Sequence, residues 1–94
     1  VMLWRHRIAP GQRLPSTRLD HEEVVAVLAG SGNLHEPNHT HSFTAGDVLI
    51  VPAGTLTHIE AAPGTSRLDC LRAMPVTTRH YTIAGEEMYL PWTR

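Results

Sequence analysis

Short apolar segments alternate with turn residues along the whole chain, at intervals of about 8 to 12 residues. Proline and glycine follow the segments at residues 2–8 and 47–51, and a Gly-Ser-Gly turn follows residues 23–28. No segment keeps the apolar periodicity of an amphipathic helix over the length of a typical helix. We therefore predict strands at residues 2–8, 23–28, 33–36, 39–43, 47–51, 57–61, 67–74, 80–83 and 88–92, with a polar loop before the second strand.

The length of the chain allows one domain. A chain of 94 residues buries only about 60 to 65% of the surface that it exposes when unfolded, so a second core does not fit. Many short strands within one domain are typical of a β-sandwich or a small barrel. The prediction is a single all-β domain over residues 1–94.

Two of the predicted strands are apolar on both faces. Residues 24–28 and 48–51 carry aliphatic side chains at consecutive positions, although the outer face of an antiparallel sheet is usually polar. A second copy of the chain is the simplest cover for such a face. We therefore predict a homodimer.

Charge and composition argue against several classes of function. The basic residues are eight scattered arginines, and the net charge is −1, whereas a nucleic-acid-binding domain carries a basic stripe. No apolar run reaches the roughly 18 residues that a membrane helix needs. The absence of lysine excludes Schiff-base chemistry through a side-chain amine. We expect a protein that binds neither nucleic acid nor membrane.

Cysteine usage and the N-terminal sequence point to a reducing compartment. Cys70 is the one cysteine of the chain, so an internal disulfide is excluded, and the first residues lack the pattern of a signal peptide. We expect a cytoplasmic protein in which Cys70 is a small buried hydrophobic residue.

Three histidines lie close together on one predicted hairpin. His39 and His41 have the one-apart spacing that places two imidazoles on one strand face, which favours metal binding. A two-residue Pro37-Asn38 turn, however, pairs Leu34 with His41 and turns His35 to the opposite face. We interpret the segment as a polar hairpin with one partly buried, hydrogen-bonded histidine; a surface metal site is the alternative.

Two stretches of the chain resemble the conserved motifs of the cupin superfamily. Residues 23–32 are similar to the second half of the first motif, and residues 46–54, with a histidine close behind, are similar to the second motif. The resemblance implies a small jelly-roll barrel of two antiparallel sheets around a pocket. Such barrels are often dimeric, often hold a transition metal through histidines and a glutamate, and serve many unrelated functions.

The resemblance places the glutamate ligand of the family at Glu23. The second-motif histidine falls on Thr57, with His58 one place beyond. Because a one-residue shift turns a strand side chain to the other face, His58 points inward only if the preceding loop is one residue longer. This is the interpretation that we favour.

The two first-motif histidines of the family are missing. Their positions fall on Thr17 and Leu19, or, with a longer loop, on Ser16 and Arg18. Leucine has no lone pair, and arginine is a permanent cation that repels a metal ion. We therefore expect no cofactor. A divalent transition metal is the alternative, and its candidate ligands are His58, Glu23 and His21.

The motif positions define a candidate pocket made of Arg18, Glu23 and His58, with Thr17 beside them. The arginine would hold an anionic or carbonyl oxygen of a ligand, and Glu23 and His58 would be the catalytic pair that transfers protons. The structural alternative is a surface arginine, a hydrogen-bonded carboxylate and a rim histidine.

The predicted function is the binding of a small molecule by a cupin barrel that lacks the usual metal site. The missing histidines support it, and so does the similarity of residues 24–32 and 46–54 to the sensing barrels of arabinose-type transcription regulators. The first alternative is a metal-independent isomerase, dehydratase or cyclase acting on a sugar or a polyketide-like substrate. A metal-dependent dioxygenase is the second.

Overall fold

The structure, a computed structural model, describes residues 1–64, 67–75 and 77–88. Within these ranges no helix is long and apolar enough to cross a membrane. The strands are β1 (Met2–Ile8), β2 (Arg18–Leu19), β3 (Glu23–Ala29), β4 (Ser31–His35), β5 (Thr40–Thr44), β6 (Val48–Val51), β7 (His58–Ala61), β8 (Leu68–Met74), β9 (His80–Tyr81) and β10 (Glu87–Met88).

Antiparallel pairing joins these strands into two larger sheets and one small one. The first sheet has the order β1-β8-β3-β6, the second has the order β5-β4-β7, and the short strands form β10-β9-β2. β1 pairs with β8 along its whole length, from Met2 opposite Met74 to Ile8 opposite Leu68. The predicted all-β fold with antiparallel sheets is confirmed.

Alternation along each strand sends one set of side chains inside. In β3, Glu23, Val25 and Val27 are buried, whereas Val24 between them is exposed. Strand side chains alternate between the two faces of a sheet, so the inner faces of the sheets together supply one core. Cys70 is part of that core, as predicted; the core residues are Ile8, Leu19, Val25, Val27, Leu34, Phe43, Val51, Ile59, Ala61, Leu68, Cys70 and Met74.

The hairpin of β4 and β5 has the predicted register. Leu34 lies opposite His41, and the backbone N–H of Glu36 donates to the carbonyl of His39 at 2.8 Å. Leu34 points into the core, and the alternation turns its neighbour His35 to the other face. His35 is the partly buried, hydrogen-bonded histidine of this hairpin, whereas His41 is largely exposed.

Gly32 in β4 allows two neighbouring strands to approach closely. A Cβ atom at this position would lie 2.3 Å from the carbonyl oxygen of Glu60 and 3.0 Å from the ring of Phe43. The contact with the backbone oxygen is far shorter than real Cβ atoms show, and the contact with the Phe43 ring is tighter than usual. Glycine is therefore required where Glu60 of β7 and Phe43 of β5 flank β4.

The short strands differ most from the sequence-based expectation. Residues 80–83 were expected to form a strand, but β9 ends at Tyr81, and β10 begins at Glu87 rather than at residue 88. Residues 89–92 of the predicted segment 88–92 lie outside the described residues. The residues of β2 were expected to be part of a loop. They form a strand only by pairing with β9, about sixty residues later in the chain, so the local sequence does not predict it.

Candidate functional site

A cavity of about 140 Å³ lies between the inner faces of the sheets. Its polar side chains come mainly from the four-stranded sheet and β9, and its apolar side chains come mainly from the facing strands and the loop before β2. The lining residues are Trp4, His6, Leu14, Pro15, Thr17, Leu19, Glu23, Leu34, Val51, Thr57, His58, Ile59, Arg72 and His80.

Glu23 and Arg72 form a buried ion pair in the wall of this cavity. The guanidinium Nε donates to Oε2 of Glu23 at 2.8 Å, and Nη2 donates to Oε1 at 2.8 Å. The side chain of Glu23 is 0% exposed and that of Arg72 is 16% exposed. Removing two charges from water is favourable only when they satisfy each other in this way.

The strand register explains how Arg72 reaches its partners. Arg72 lies in β8, directly between Trp4 of β1 and Val25 of β3. Glu23 is the diagonal neighbour on the β3 side, and His6 is the diagonal neighbour on the β1 side, within reach of a long side chain. The guanidinium also lies over the Trp4 ring, 5.6 Å from its centroid.

Arg72 also fixes the protonation of His6. Its Nη1 lies 3.0 Å from Nδ1 of His6, and a guanidinium can only donate, so Nδ1 accepts and the ring proton is on Nε2. Burial, reinforced by the Arg72 charge, lowers the pKa of His6. His6 is therefore a neutral imidazole with one N–H donor.

His80 brings a second imidazole to the same wall. Its side chain is buried, and β9 holds it through pairing with Leu19. Burial lowers the pKa of His80, which outweighs the opposite effect of the Glu23 carboxylate. His80, like His6, is neutral at pH 7.

His58 borders the cavity from a different direction than expected. The inward positions here belong to Thr57, just before β7, and to Ile59, which are both buried, so the alternation places His58 on the face that carries Glu60. On that face the ring stacks on His35 of β4, with 4.4 Å between ring centroids. The expectation that an extra loop residue turns His58 inward is therefore wrong, and Thr57 keeps the inward position.

The two nitrogens of His58 have different surroundings. Nδ1 lies 3.1 Å from the hydroxyl of Ser16, while Nε2 is buried and has no hydrogen-bond partner within the described residues. Burial, followed by the neighbouring His35 and Arg13, lowers the pKa of His58. His58 is thus a neutral imidazole at the edge of the cavity.

The predicted pocket residues are only partly brought together. Thr17, Glu23 and His58 line the cavity, but Arg18 is exposed and its guanidinium lies 5.2 Å from the centroid of the Tyr81 ring. In the two-residue strand β2, the inward position belongs to Leu19. The cation in the cavity wall is therefore Arg72 and not Arg18.

His21 also lies away from the cavity lining. It is exposed in the turn before β3, and its Nδ1 lies 2.9 Å from a carboxylate oxygen of Asp20. Three polar lining residues were not among the predicted pocket residues: His6, Arg72 and His80. Two of them gave a signal, because His6 and Arg72 each stand on the otherwise apolar inner face of an alternating strand.

The metal that cupins often hold does not fit the residues in this cavity. Both carboxylate oxygens of Glu23 already accept hydrogen bonds from Arg72, and a guanidinium repels a metal ion placed beside it. In the described part of the chain, no three His, Cys, Asp or Glu side chains lie close enough together to hold an ion. His58, Glu23 and His21 do not converge.

Comparison with known families and structures agrees with this architecture. A family model described as the cupin domain matches residues 4–73, which is well over half of the chain. The chain belongs to the cupin family. None of the curated protein sequences compared with it matches.

Solved structures show the same fold in proteins of different function. Salicylate 1,2-dioxygenase from Pseudoaminobacter salicylatoxidans, solved as adducts with gentisate, is 21% identical with a TM-score of 0.67 over 74% of this chain and 18% of its own. Vicilin from hazelnut, Corylus avellana, is 17% identical with a TM-score of 0.75 over 85% of this chain and 25% of its own.

A third structure is of a size nearer to this chain. A cupin superfamily protein from Desulfitobacterium hafniense is 18% identical with a TM-score of 0.67, over 74% of this chain and 62% of its own. The chain thus spans about a fifth of the dioxygenase and a quarter of the vicilin. At these identities the similarity establishes the jelly-roll fold alone.

Proposed function

We propose that this cupin barrel binds a small molecule in the cavity between its sheets, and does so without the usual metal of the family. The observation that carries the proposal is the cavity of about 140 Å³, which combines apolar walls with a few polar side chains. Concave, mostly apolar sites with few polar groups are typical of small-molecule binding.

The Glu23–Arg72 pair favours binding over metal-dependent chemistry. The glutamate at the family's ligand position accepts two 2.8 Å hydrogen bonds from a cation of the chain itself. A metal ion would have to displace that guanidinium into an apolar core, at a large desolvation cost. We therefore expect purified, untagged protein to contain less than about a tenth of a metal ion per chain.

A metal-independent enzyme is the second candidate. His58 supports it, because this neutral imidazole borders the cavity and its buried Nε2 has no partner within the described residues. Against it, Glu23 must leave Arg72 before it can serve as a base. Turnover of a sugar or polyketide-like substrate that persists in a chelator and is lost in His58→Ala would favour the enzyme.

A matched pair of variants at Thr17 tests binding in the cavity. The Thr17 side chain lines the cavity, while its backbone N–H and carbonyl pair with Thr57 at 2.9 Å, so a side-chain replacement leaves that pairing in place. Thr17→Phe fills cavity volume, and Thr17→Val keeps the shape of threonine.

Native mass spectrometry of freshly purified protein supplies the measurement. We expect one small-molecule adduct on the wild-type chain and on Thr17→Val, and its loss from Thr17→Phe at unchanged circular dichroism. Equal adduct occupancy in both variants would contradict binding in the cavity.

We also propose that the chain forms a homodimer through the outer face of its four-stranded sheet. Leu3, Ala73, Val24 and Ile50 form one row across this face. The next row continues from Leu71 through Ala26 to Val48. Leu3, Val24, Val48 and Ile50 are 62%, 41%, 62% and 55% exposed.

A second copy is the partner that this face fits. The first apolar row crosses all four strands and the second crosses β8, β3 and β6, with Arg5 at its β1 position. A two-fold axis through these rows would place apolar side chains against apolar side chains. An ion pair between Arg5 and Asp69 lies at one end of the face. A surface of this kind, apolar in the centre and charged at the rim, is typical of interfaces between identical chains.

A further inference from the structure

The charged groups in the cavity wall neutralise each other. Glu23 is the one acidic residue of the described lining and Arg72 is the one arginine. Nε and Nη2 of Arg72 bind Glu23, and Nη1 binds His6. A ligand carboxylate or ammonium group would therefore be desolvated in this cavity without a free counterion, which is strongly unfavourable.

The histidines of the wall add no charge at pH 7. Burial lowers the pKa of both His6 and His80, so both imidazoles are neutral. In His6 the hydrogen bond from Arg72 occupies Nδ1, which leaves the proton on Nε2. His6 lines the cavity, so its Nε2–H is available as a donor to an acceptor oxygen of a ligand.

The volume and the apolar walls limit the shape of a ligand. A cavity of roughly 150 Å³ in another protein holds one benzene molecule, and the cavity here measures about 140 Å³. Leu34 and Ile59 line the side contributed by the second sheet, and Leu14 and Pro15 add apolar surface from the loop. The space and its largely apolar surface suit a single six-membered ring.

We infer that the cavity selects an uncharged monocyclic compound with one hydrogen-bond-accepting oxygen, which the Nε2–H of His6 recognises. This inference rests on the proposed function, because it names the class of ligand for the same cavity. It differs from the anion recognition that Arg18 would provide, since that side chain lies outside the cavity lining.

Three probes that share one ring and differ in charge test the selectivity. Cyclohexanone, cyclohexanecarboxylate and cyclohexylammonium are titrated at about pH 7.5 into the uniformly ¹⁵N-labelled full chain, and amide shifts of the lining residues are followed by NMR. We expect cyclohexanone to shift them with a Kd at least about tenfold lower than that of either ion. Tighter or equal binding of an ion overturns the inference, yet leaves cavity binding intact.

Variants at two histidines test the hydrogen bond. His6→Phe keeps a ring and removes the donor, so the affinity for cyclohexanone should fall about fivefold, as expected for one neutral hydrogen bond. His39→Phe, at an exposed hairpin position, should leave it unchanged. An unchanged affinity in His6→Phe overturns the role of that donor.

The two proposals fail in different ways. If none of the three probes shifts a lining amide, the inferred ligand class is wrong, whereas the Thr17→Phe and Thr17→Val adducts still decide whether the cavity binds a small molecule. If the adduct is also retained in Thr17→Phe, the proposed function is wrong as well.

Discussion

Arg72 donates from Nε and Nη2 to the two carboxylate oxygens of Glu23, each at 2.8 Å, inside the barrel. The third guanidinium nitrogen binds His6. One side chain of β8 therefore joins β1 and β3 on the inner face of the sheet and sets the charge of the cavity. The ion pair specifies a neutral cavity in which the glutamate is held by a cation from the protein itself.

Breaking this pair should destabilise the barrel strongly. Arg72→Met leaves the buried Glu23 carboxylate without a counterion, and the expected loss is about 3 to 5 kcal/mol in the free energy of unfolding, measured with urea. Because that loss approaches the whole stability of a domain this small, the double variant Glu23→Met/Arg72→Met is the informative control. It should be more stable than Arg72→Met alone; a double variant less stable than the single one would contradict the role assigned to the pair.

The strand pattern could be predicted from the sequence because it depends on local alternation. Residues 2–8 and 67–74 place apolar side chains at alternate positions, which is the pattern of an antiparallel strand with one buried face. β1 and β8 follow those predictions closely. β2 could not be predicted in this way. Its two residues become a strand only when β9 pairs with them.

The candidate site was less predictable for the same reason. Motif positions identified Glu23 and Thr17, which do line the cavity. The partner of Glu23 depends on β8 lying between β1 and β3, and this order is a long-range property. Arg72 was therefore missed, although an arginine on the apolar face of β8 was visible in the alternation itself.

The buried histidines should make stability depend on pH. Burial lowers the pKa of His6, His58 and His80 below the ordinary value of 6.5. Below pH 6.5 the unfolded chain therefore binds more protons than the folded chain, and the free energy of unfolding falls as the pH decreases through the region beneath 6.5.

Urea unfolding at pH values of about 7.5, 6.5 and 5.5 measures this dependence. His80→Phe should reduce the slope below pH 6.5, because it removes one of the groups that protonate only on unfolding. His39→Gln, a change at an exposed position, should leave the slope as in the wild type. The carboxyl groups whose pKa is lowered by hydrogen bonding, such as Asp20, begin from an ordinary value of 3.8 and act in a more acidic range. A free energy of unfolding that is independent of pH in this window would contradict the prediction.

The outer face of the four-stranded sheet should control the oligomeric state. Ile50→Arg places a charge at the β6 end of the apolar row formed with Val24 and Leu3, and a buried unpaired charge at an interface is strongly unfavourable. Light scattering coupled to size-exclusion chromatography should report a dimer for the wild type and a monomer for Ile50→Arg. Ile83→Arg, at an exposed position between β9 and β10, should remain dimeric. A monomeric wild type, or a dimeric Ile50→Arg, would show that this face does not hold two copies together.

Gly32 should be intolerant of even the smallest side chain. The Cβ of Gly32→Ala would meet the Glu60 carbonyl at 2.3 Å, and this contact is with backbone, so it cannot be relieved by a rotamer change. β4 and β7 would have to separate near the ladder position that pairs Gly32 with Ala61, and overpacking of this kind costs about 1 to 3 kcal/mol. Ser31→Ala, one residue earlier, is the matched control, because it adds no volume and should change the free energy of unfolding by less than about 1 kcal/mol. Equal urea midpoints for the two variants would mean that β4 and β7 do not approach as closely as the structure indicates.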